Sequence, residues 1–295
     1  MTHEPLLILP FDHRSSFSRK LFGWEGELNR KQKQQISDYK NIVYQGFLEV
    51  AKDMPHPKHF GILVDQEYGT PILKDAKKRG YTVTMPVEKS GQKAFTFNYG
   101  NEFGKWIEKI KPDYVKILVR YHPANKDINK IQLKRLSRLN AYCKKHGHKM
   151  MFELLVPATD ADMKRAKTAK VYDKKIRPLR TVQAIREIKK AIQPELWKME
   201  GFGKADWTKV LKVLGKDTEI IVLGRGQDEV NVKRWLQAAA EFNQIIGFAI
   251  GRTIFFRPLQ EYLAKRITKK QAIDKIAGNY QKFIKLWTKA KASKI

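Results

Sequence analysis

Cysteine is nearly absent. Cys143 is the single one in 295 residues, which excludes a disulfide scaffold. Long apolar runs are absent too, the longest being about half a dozen residues against the roughly 20 that cross a bilayer, so no membrane span is expected. The first residues, MTHEPLLILPFDHR, hold an apolar run too short for a signal peptide, with an acid ahead of it where a basic region would stand. The expected compartment is the cytoplasm. No Pro/Gly/Ser-rich linker divides the chain, and no Gly-x-Gly-x-x-Gly turn follows its first β-like run. Acids are scarce: 30 Asp and Glu face 59 Lys and Arg, a formal net charge of +29. Such a chain attracts polyanions or phosphorylated metabolites.

The basic excess is densest in two places. Residues 164–180 hold eight basic side chains and one acid, and residues 265–295 hold ten and one. Solvated helix faces explain both more simply than nucleic acid does. No zinc-finger spacing, aromatic RNA-binding signature or low-complexity basic tail supports nucleic-acid binding.

What is present is alternation. Eight short β-like runs fall at 6–11, 59–64, 81–85, 114–121, 149–156, 195–200, 219–223 and 246–250. Several are almost continuously apolar, as parallel strands covered on both faces are. Amphipathic helical patterns lie between them, at 33–52, 131–146, 181–192, 206–214 and 229–242, and a lysine-rich one follows at 272–288. Gly147, Gly215 and Gly247 are placed where helices would end before the next strand. Alternating strands and helices imply right-handed βαβ units around a parallel sheet. A count of eight favours a closed (β/α)8 TIM barrel over an open doubly wound sheet. The expected organisation is one barrel domain over 1–295, with a loop over the mouth within 12–57 and a basic helical extension at about 265–295.

In such a barrel, chemistry gathers at the carboxyl ends of the strands. Strand one ends in Asp12, His13 and Arg14, and strand two in Asp65, Gln66 and Glu67. Strand three is followed by Glu88, Lys89 and Ser90. Strand four carries Lys116 and ends in Arg120, Tyr121 and His122. Strand five carries Glu153, and strand six Lys198 and Glu200. Lys116 in VKILV and Lys198 in LWKME stand among apolar neighbours, where lost hydration and a second nearby lysine favour a neutral amine. A neutral amine is what Schiff-base chemistry with a ketone requires. Glu153, on the strand between, is placed to move protons. The competing reading is a buried ion network, and two lysines with a glutamate on three consecutive strands weigh against it.

Gly224-Arg225-Gly226 and Gly251-Arg252 follow strands seven and eight, where barrels often build a phosphate site. Glycine lets backbone approach an anion, and arginine grips it bidentately. His13, His122 and Asp65 lack metal-ligand spacing, and Ser15 and Ser16 lack a nucleophile-elbow context, so neither a metal nor a serine nucleophile is expected. Cys143 reads as a core residue, as do Trp106, Trp207, Trp235 and Trp287.

Seven segments together resemble one family. They are LPFDHRSSFSRKLFG (9–23), MPVEKSGQ (85–92), VKILVRYHP (115–123), FELLVP (152–157), WKMEG (197–201), VLGRG (222–226) and GFAIGRTIFFRPLQEYLAKRI (247–267). The family is the 2-deoxy-5-keto-D-gluconate 6-phosphate aldolases of inositol catabolism, often the C-terminal part of a kinase fusion. The chain is similar, more distantly, to tagatose-1,6-bisphosphate aldolases and their sulfo-sugar relatives. The resemblance implies a class I aldolase that releases dihydroxyacetone phosphate and malonic semialdehyde. Lys198 is then the Schiff-base lysine, Glu153 the acid/base carboxylate and Lys116 the second site lysine, with Asp12 assisting the chemistry. Arg14, His13, Glu88, Lys89, His122, Gly224, Arg225, Gly226, Gly251 and Arg252 would hold substrate and phosphate. The implied partner is a small phosphorylated sugar, with no cofactor and no metal. Homo-oligomerisation is left open. Two alternatives stand beside this reading: the same chemistry on a ketohexose bisphosphate or sulfo-sugar phosphate, and a non-catalytic barrel that binds an anionic sugar or nucleic acid.

Overall fold

The computed structural model describes residues 4–293; residues 294–295, the end of the expected basic extension, lie outside the described residues. Eight parallel strands close in chain order into a barrel, β8 pairing with β1. They are β1 (Leu6–Pro10), β2 (Phe60–Leu63), β3 (Thr82–Pro86), β4 (Tyr114–Arg120), β5 (Lys149–Leu155), β6 (Leu196–Glu200), β7 (Glu219–Leu223) and β8 (Ile245–Ala249). The helices are α1 (Ser15–Phe22), α2 (Arg30–Ala51), α3 (Gln66–Lys78), α4 (Phe103–Ile110), α5 (Lys126–His146), α6 (Asp160–Ala166), α7 (Ala169–Val171), α8 (Arg177–Ile188), α9 (Lys204–Leu214), α10 (Glu229–Ala240), α11 (Arg252–Leu263) and α12 (Lys269–Ala292). A π-helical turn, Tyr172–Ile176, joins α7 to α8.

The strands are nearly all apolar because both of their faces are covered. Alternate residues fill the lumen: Leu6, Ile8, Leu63, Met151, Leu196 and Ile221 form one interior cluster, while the outward-facing set packs under the helices. That period of two positions the site. Lys116, Glu153 and Lys198 share parity with the lumen residues below them, so they face inward one layer nearer the carboxyl ends. The register puts Glu153 beside Lys198 across the β5–β6 pair.

Helix boundaries follow from local chemistry. Asn29 and Gln32 form a capping box on α2, and Thr268 and Gln271 form another on α12. Asp65 accepts the Tyr68 N–H and starts α3. Gly147 ends α5 in the left-handed conformation, as expected. Gly247 does not end a helix. It lies inside β8, where a side chain would come within 1.8 Å of the Leu6 carbonyl oxygen, so its bareness lets β8 close against β1.

The lysine-rich C-terminal pattern also takes a different place from the one expected. It forms the 24-residue α12, which packs between α2 and α10 as the outer helix that follows β8, with α11 in the loop before it. Tyr280 donates to the Leu7 carbonyl at 2.7 Å, and Ile276, Phe283, Ile284 and Trp287 are buried against the barrel. Its lysines at 269, 270, 275, 282, 285 and 289 lie on the opposite, exposed face. The 12–57 segment holds α1 and α2. Trp207 and Cys143 are buried, whereas Trp106 and Trp235 are half-covered.

Candidate active site

At the carboxyl end of the barrel lies a cavity of about 130 Å³, its floor formed by Asp12, Glu88, Lys116, Glu153 and Lys198. That is roughly four waters' share of liquid volume. The Lys116 ammonium reaches Asp12 Oδ2 at 2.8 Å, Glu88 Oε1 at 2.7 Å and Glu153 Oε2 at 3.0 Å. Lys198 Nζ donates to Glu153 Oε2 at 2.9 Å. All three strand-borne groups are nearly inaccessible to solvent.

The two lysines therefore differ in their partners, and Lys116 does not carry the neutral amine expected of it. Burying an ammonium costs several kcal/mol. For Lys116 three carboxylates more than repay that cost, and its pKa stands well above the usual 10.5. A permanent ammonium is no nucleophile, but it holds anions in place. Burial pulls Asp12 and Glu153 upward, and the nearby lysines, Lys116 foremost, bring both below the ordinary carboxyl range. Glu88 goes the other way: burial raises it despite Lys116 and Arg14.

His13 also faces this end of the barrel. Burial lowers its pKa to about 4, against the pull of Asp12, and its Nδ1 has no hydrogen-bond partner among the described residues. Arg14 is buried and donates to the Glu88 carbonyl oxygen, tying the end of β1 to the β3 loop. Lys89, Lys93 and Arg120 line the cavity from its exposed rim. Lys93 and Leu118 were not singled out by sequence. Leu118 was legible in principle, since it stands two residues beyond Lys116.

Several expected site residues are engaged elsewhere. His122 is sealed 1% exposed, its Nε2 at 2.6 Å from Asp162 Oδ2, and it does not line the cavity. Arg225 pairs with Asp173 at 2.6 Å and Glu200 at 2.9 Å, so its guanidinium is spent on structural carboxylates. Asp65 caps α3 and pairs with Lys40. Gly224 accepts the Gln227 N–H in the turn after β7. The turns still matter, because Gly226 takes φ 68° and a side chain there would come within 2.7 Å of the Arg252 guanidinium. Gly251 lies so close to the Pro10 carbonyl that a Cβ would stand 2.1 Å from it. Arg252 thus rests on a bare turn at the start of α11. It has no hydrogen-bond or ion-pair partner among the described residues, and the charges of Glu153 and Asp12 act on it.

A parallel eight-stranded barrel with two inward lysines and three carboxylates at its carboxyl end defines a TIM-barrel protein with an enzyme-like site. More particularly, the chain belongs to the bacterial family described as "Uncharacterized protein conserved in bacteria (DUF2090)", which it matches over residues 1–291. It is 28% identical over 191 residues to a tagatose 1,6-diphosphate aldolase of Listeria monocytogenes serotype 4a, covering 62% of this chain and 51% of that protein. A second such aldolase, from Listeria monocytogenes serotype 4b, is 30% identical over 145 residues, 46% of this chain and 38% of that protein. The chain thus spans about half the length of the first of these relatives or less of the second. An archaeal fructose 1,6-bisphosphate aldolase superposes with a TM-score of 0.61 at 11% identity, covering 96% of this chain and 93% of that one. A Schiff-base-forming fructose-1,6-bisphosphate aldolase superposes at 0.58 and 11% identity, covering 95% and 94%. These superpositions establish the shared fold.

Proposed function

We propose that this protein is a class I aldolase that cleaves a phosphorylated keto sugar through an imine on Lys198. The observation that carries the reading is the inequality of the two buried lysines: Lys116 is locked by three carboxylates, whereas Lys198 contacts Glu153 and faces the cavity. Lys198 gives its proton to Glu153, attacks the ketone, and regains a proton path for loss of water from the carbinolamine. Lys116 holds Glu153 and Asp12 in place and returns Glu153 to its ionised form between proton transfers. Carbon–carbon cleavage leaves an enamine on Lys198, and its protonation and hydrolysis release the keto fragment. The Arg252 guanidinium and the open N-terminus of α11 suit a phosphate.

The finer reading is cleavage of 2-deoxy-5-keto-D-gluconate 6-phosphate to dihydroxyacetone phosphate and malonic semialdehyde. The second reading, tagatose 1,6-bisphosphate, is favoured by the names of the Listeria relatives. Borohydride reduction in the presence of dihydroxyacetone phosphate tests the chemistry. The expected result is a mass increase on the Lys198 peptide, absent in Lys198→Met. An unmodified Lys198, or label on another lysine, rules the reading out.

A further inference from the structure

We propose that Glu88 is a second proton-transfer residue of this site, its Oε2 taking the proton of the substrate hydroxyl as the carbon–carbon bond breaks. The inference rests on the aldolase reading above and assigns it a division of labour. Imine-based cleavage sets two proton tasks at different atoms. One is at the lysine nitrogen, during carbinolamine formation and dehydration. The other is at the hydroxyl on the carbon that becomes the aldehyde. Glu153 stands 2.9 Å from the Lys198 amine and is committed to the first.

The second task needs a carboxylate that lines the cavity and keeps an oxygen free. Asp12 offers Oδ2 to Lys116 and is held strongly ionised, which makes it a weak base. Glu88 offers only Oε1 to Lys116, at 2.7 Å. Glu88 lines the cavity, and its Oε2 is buried with no hydrogen-bond partner among the described residues. A buried oxygen without a donor is costly, and a substrate hydroxyl is the donor that would satisfy it.

The main chain around Glu88 is fixed for this work. Arg14 holds its carbonyl oxygen, an antiparallel bridge joins it to Phe97, and the Lys89 N–H donates to Thr96 at 2.8 Å. The charged groups that face it are Lys116 on β4 and Asp12 and Arg14 after β1. Burial outweighs them and raises its proton affinity, which brings a general base closer to working pH.

The step balances. Glu88 Oε2 binds the hydroxyl proton and becomes a neutral carboxyl. The O–H electron pair becomes the second bond of the aldehyde carbonyl. The pair of the breaking carbon–carbon bond forms the enamine double bond, and the imine π pair settles on the Lys198 nitrogen, which loses its positive charge.

Glu88→Gln keeps the size of the side chain and an acceptor for Lys116, and Asp12 and Glu153 still compensate that ammonium. The expected result is imine trapping with dihydroxyacetone phosphate at the parent level. Cleavage of the keto-sugar phosphate that the parent turns over should fall roughly 10²- to 10⁴-fold in kcat. The acid limb of the parent's kcat profile should vanish, and Glu88→Asp should recover part of the rate. Cleavage by Glu88→Gln at the parent kcat overturns the proposal while leaving the Lys198 chemistry intact. Loss of trapping together with cleavage, in a variant of parent stability, also overturns it, since Glu88 would then act at the amine. A parent enzyme that cannot be trapped at all sinks the aldolase reading itself.

Discussion

Lys116 and Lys198 meet at a single atom: both ammonium groups reach Glu153 Oε2, at 3.0 and 2.9 Å. They arrive there from strands on either side of β5, and each is on the lumen face because of strand parity. Lys116 has two further carboxylates, Asp12 and Glu88, and is fixed as a charge. The shared oxygen therefore lies between a lysine held by three carboxylates and one whose carboxylate contact is Glu153.

Lys116→Met should unfold more readily at neutral pH. Removing one partner of a buried ion cluster costs about 3–5 kcal/mol, because Asp12, Glu88 and Glu153 are left facing one another. The pH dependence has a definite sign. Asp12 and Glu153 sit below their ordinary values of 3.8 and 4.5, so their stabilisation is present above those values and lost as pH falls below them. The variant's carboxyls lack the cation and gain by taking up protons. Denaturation curves of parent and variant should converge on acidification, and a constant gap down to pH 3 on the scale of these carboxyl values would contradict the cluster's role.

His13 should remain neutral through mildly acidic pH and take a proton only near 4, because burial opposes its charge and Arg252 and Lys198 add to that opposition. Titration of its imidazole resonances measures this directly. Its folded value lies below the ordinary 6.5, so the unfolded chain binds the proton first as pH falls. Stability should therefore decline between 6.5 and about 4, and His13→Asn should flatten that part of the curve. An imidazole titrating at its ordinary value would show that it is open to water.

Arg252 and His122 should separate binding from folding. Arg252→Met removes a charged donor worth about 1.5–3 kcal/mol, so KM for a phosphorylated substrate should rise roughly 10- to 100-fold. Trapping with unphosphorylated dihydroxyacetone should be unchanged. His122→Ala should lower Tm with KM unmoved, since His122 is sealed against Asp162 away from the cavity. A comparable rise in KM for both variants would return His122 to the site.

Legibility along the chain followed the physics of each signal. The strands were readable to within a residue at most boundaries, since a parallel strand buried on both faces is a short apolar run between polar turns. Lys116, Glu153 and Lys198 were readable because charge inside such a run is costly and so stands out. The α3 helix was harder to see, with Pro71 inside it. Gly247 looked like a helix end, because a glycine needed for interstrand approach carries the same letter as one needed for a left-handed cap.

The residues at strand ends are a different matter. Arg225 and Arg252 stand in near-identical Gly-Arg contexts, yet one is consumed by Asp173 and Glu200 and the other has no hydrogen-bond or ion-pair partner among the described residues. His122 and His13 both follow strands, yet one is locked and the other faces the mouth. Local order along the chain settled the barrel, the inward parity of the strand lysines and the overall positive charge, because period, burial and composition act over a few neighbouring residues. Which lysine is ringed by anions, which arginine is taken up by carboxylates, and that the basic C-terminal helix is a wall of the barrel were settled by folding. Those outcomes depend on side chains far apart along the chain, such as Lys116 and Asp12, whose pairing exists once the cylinder has closed.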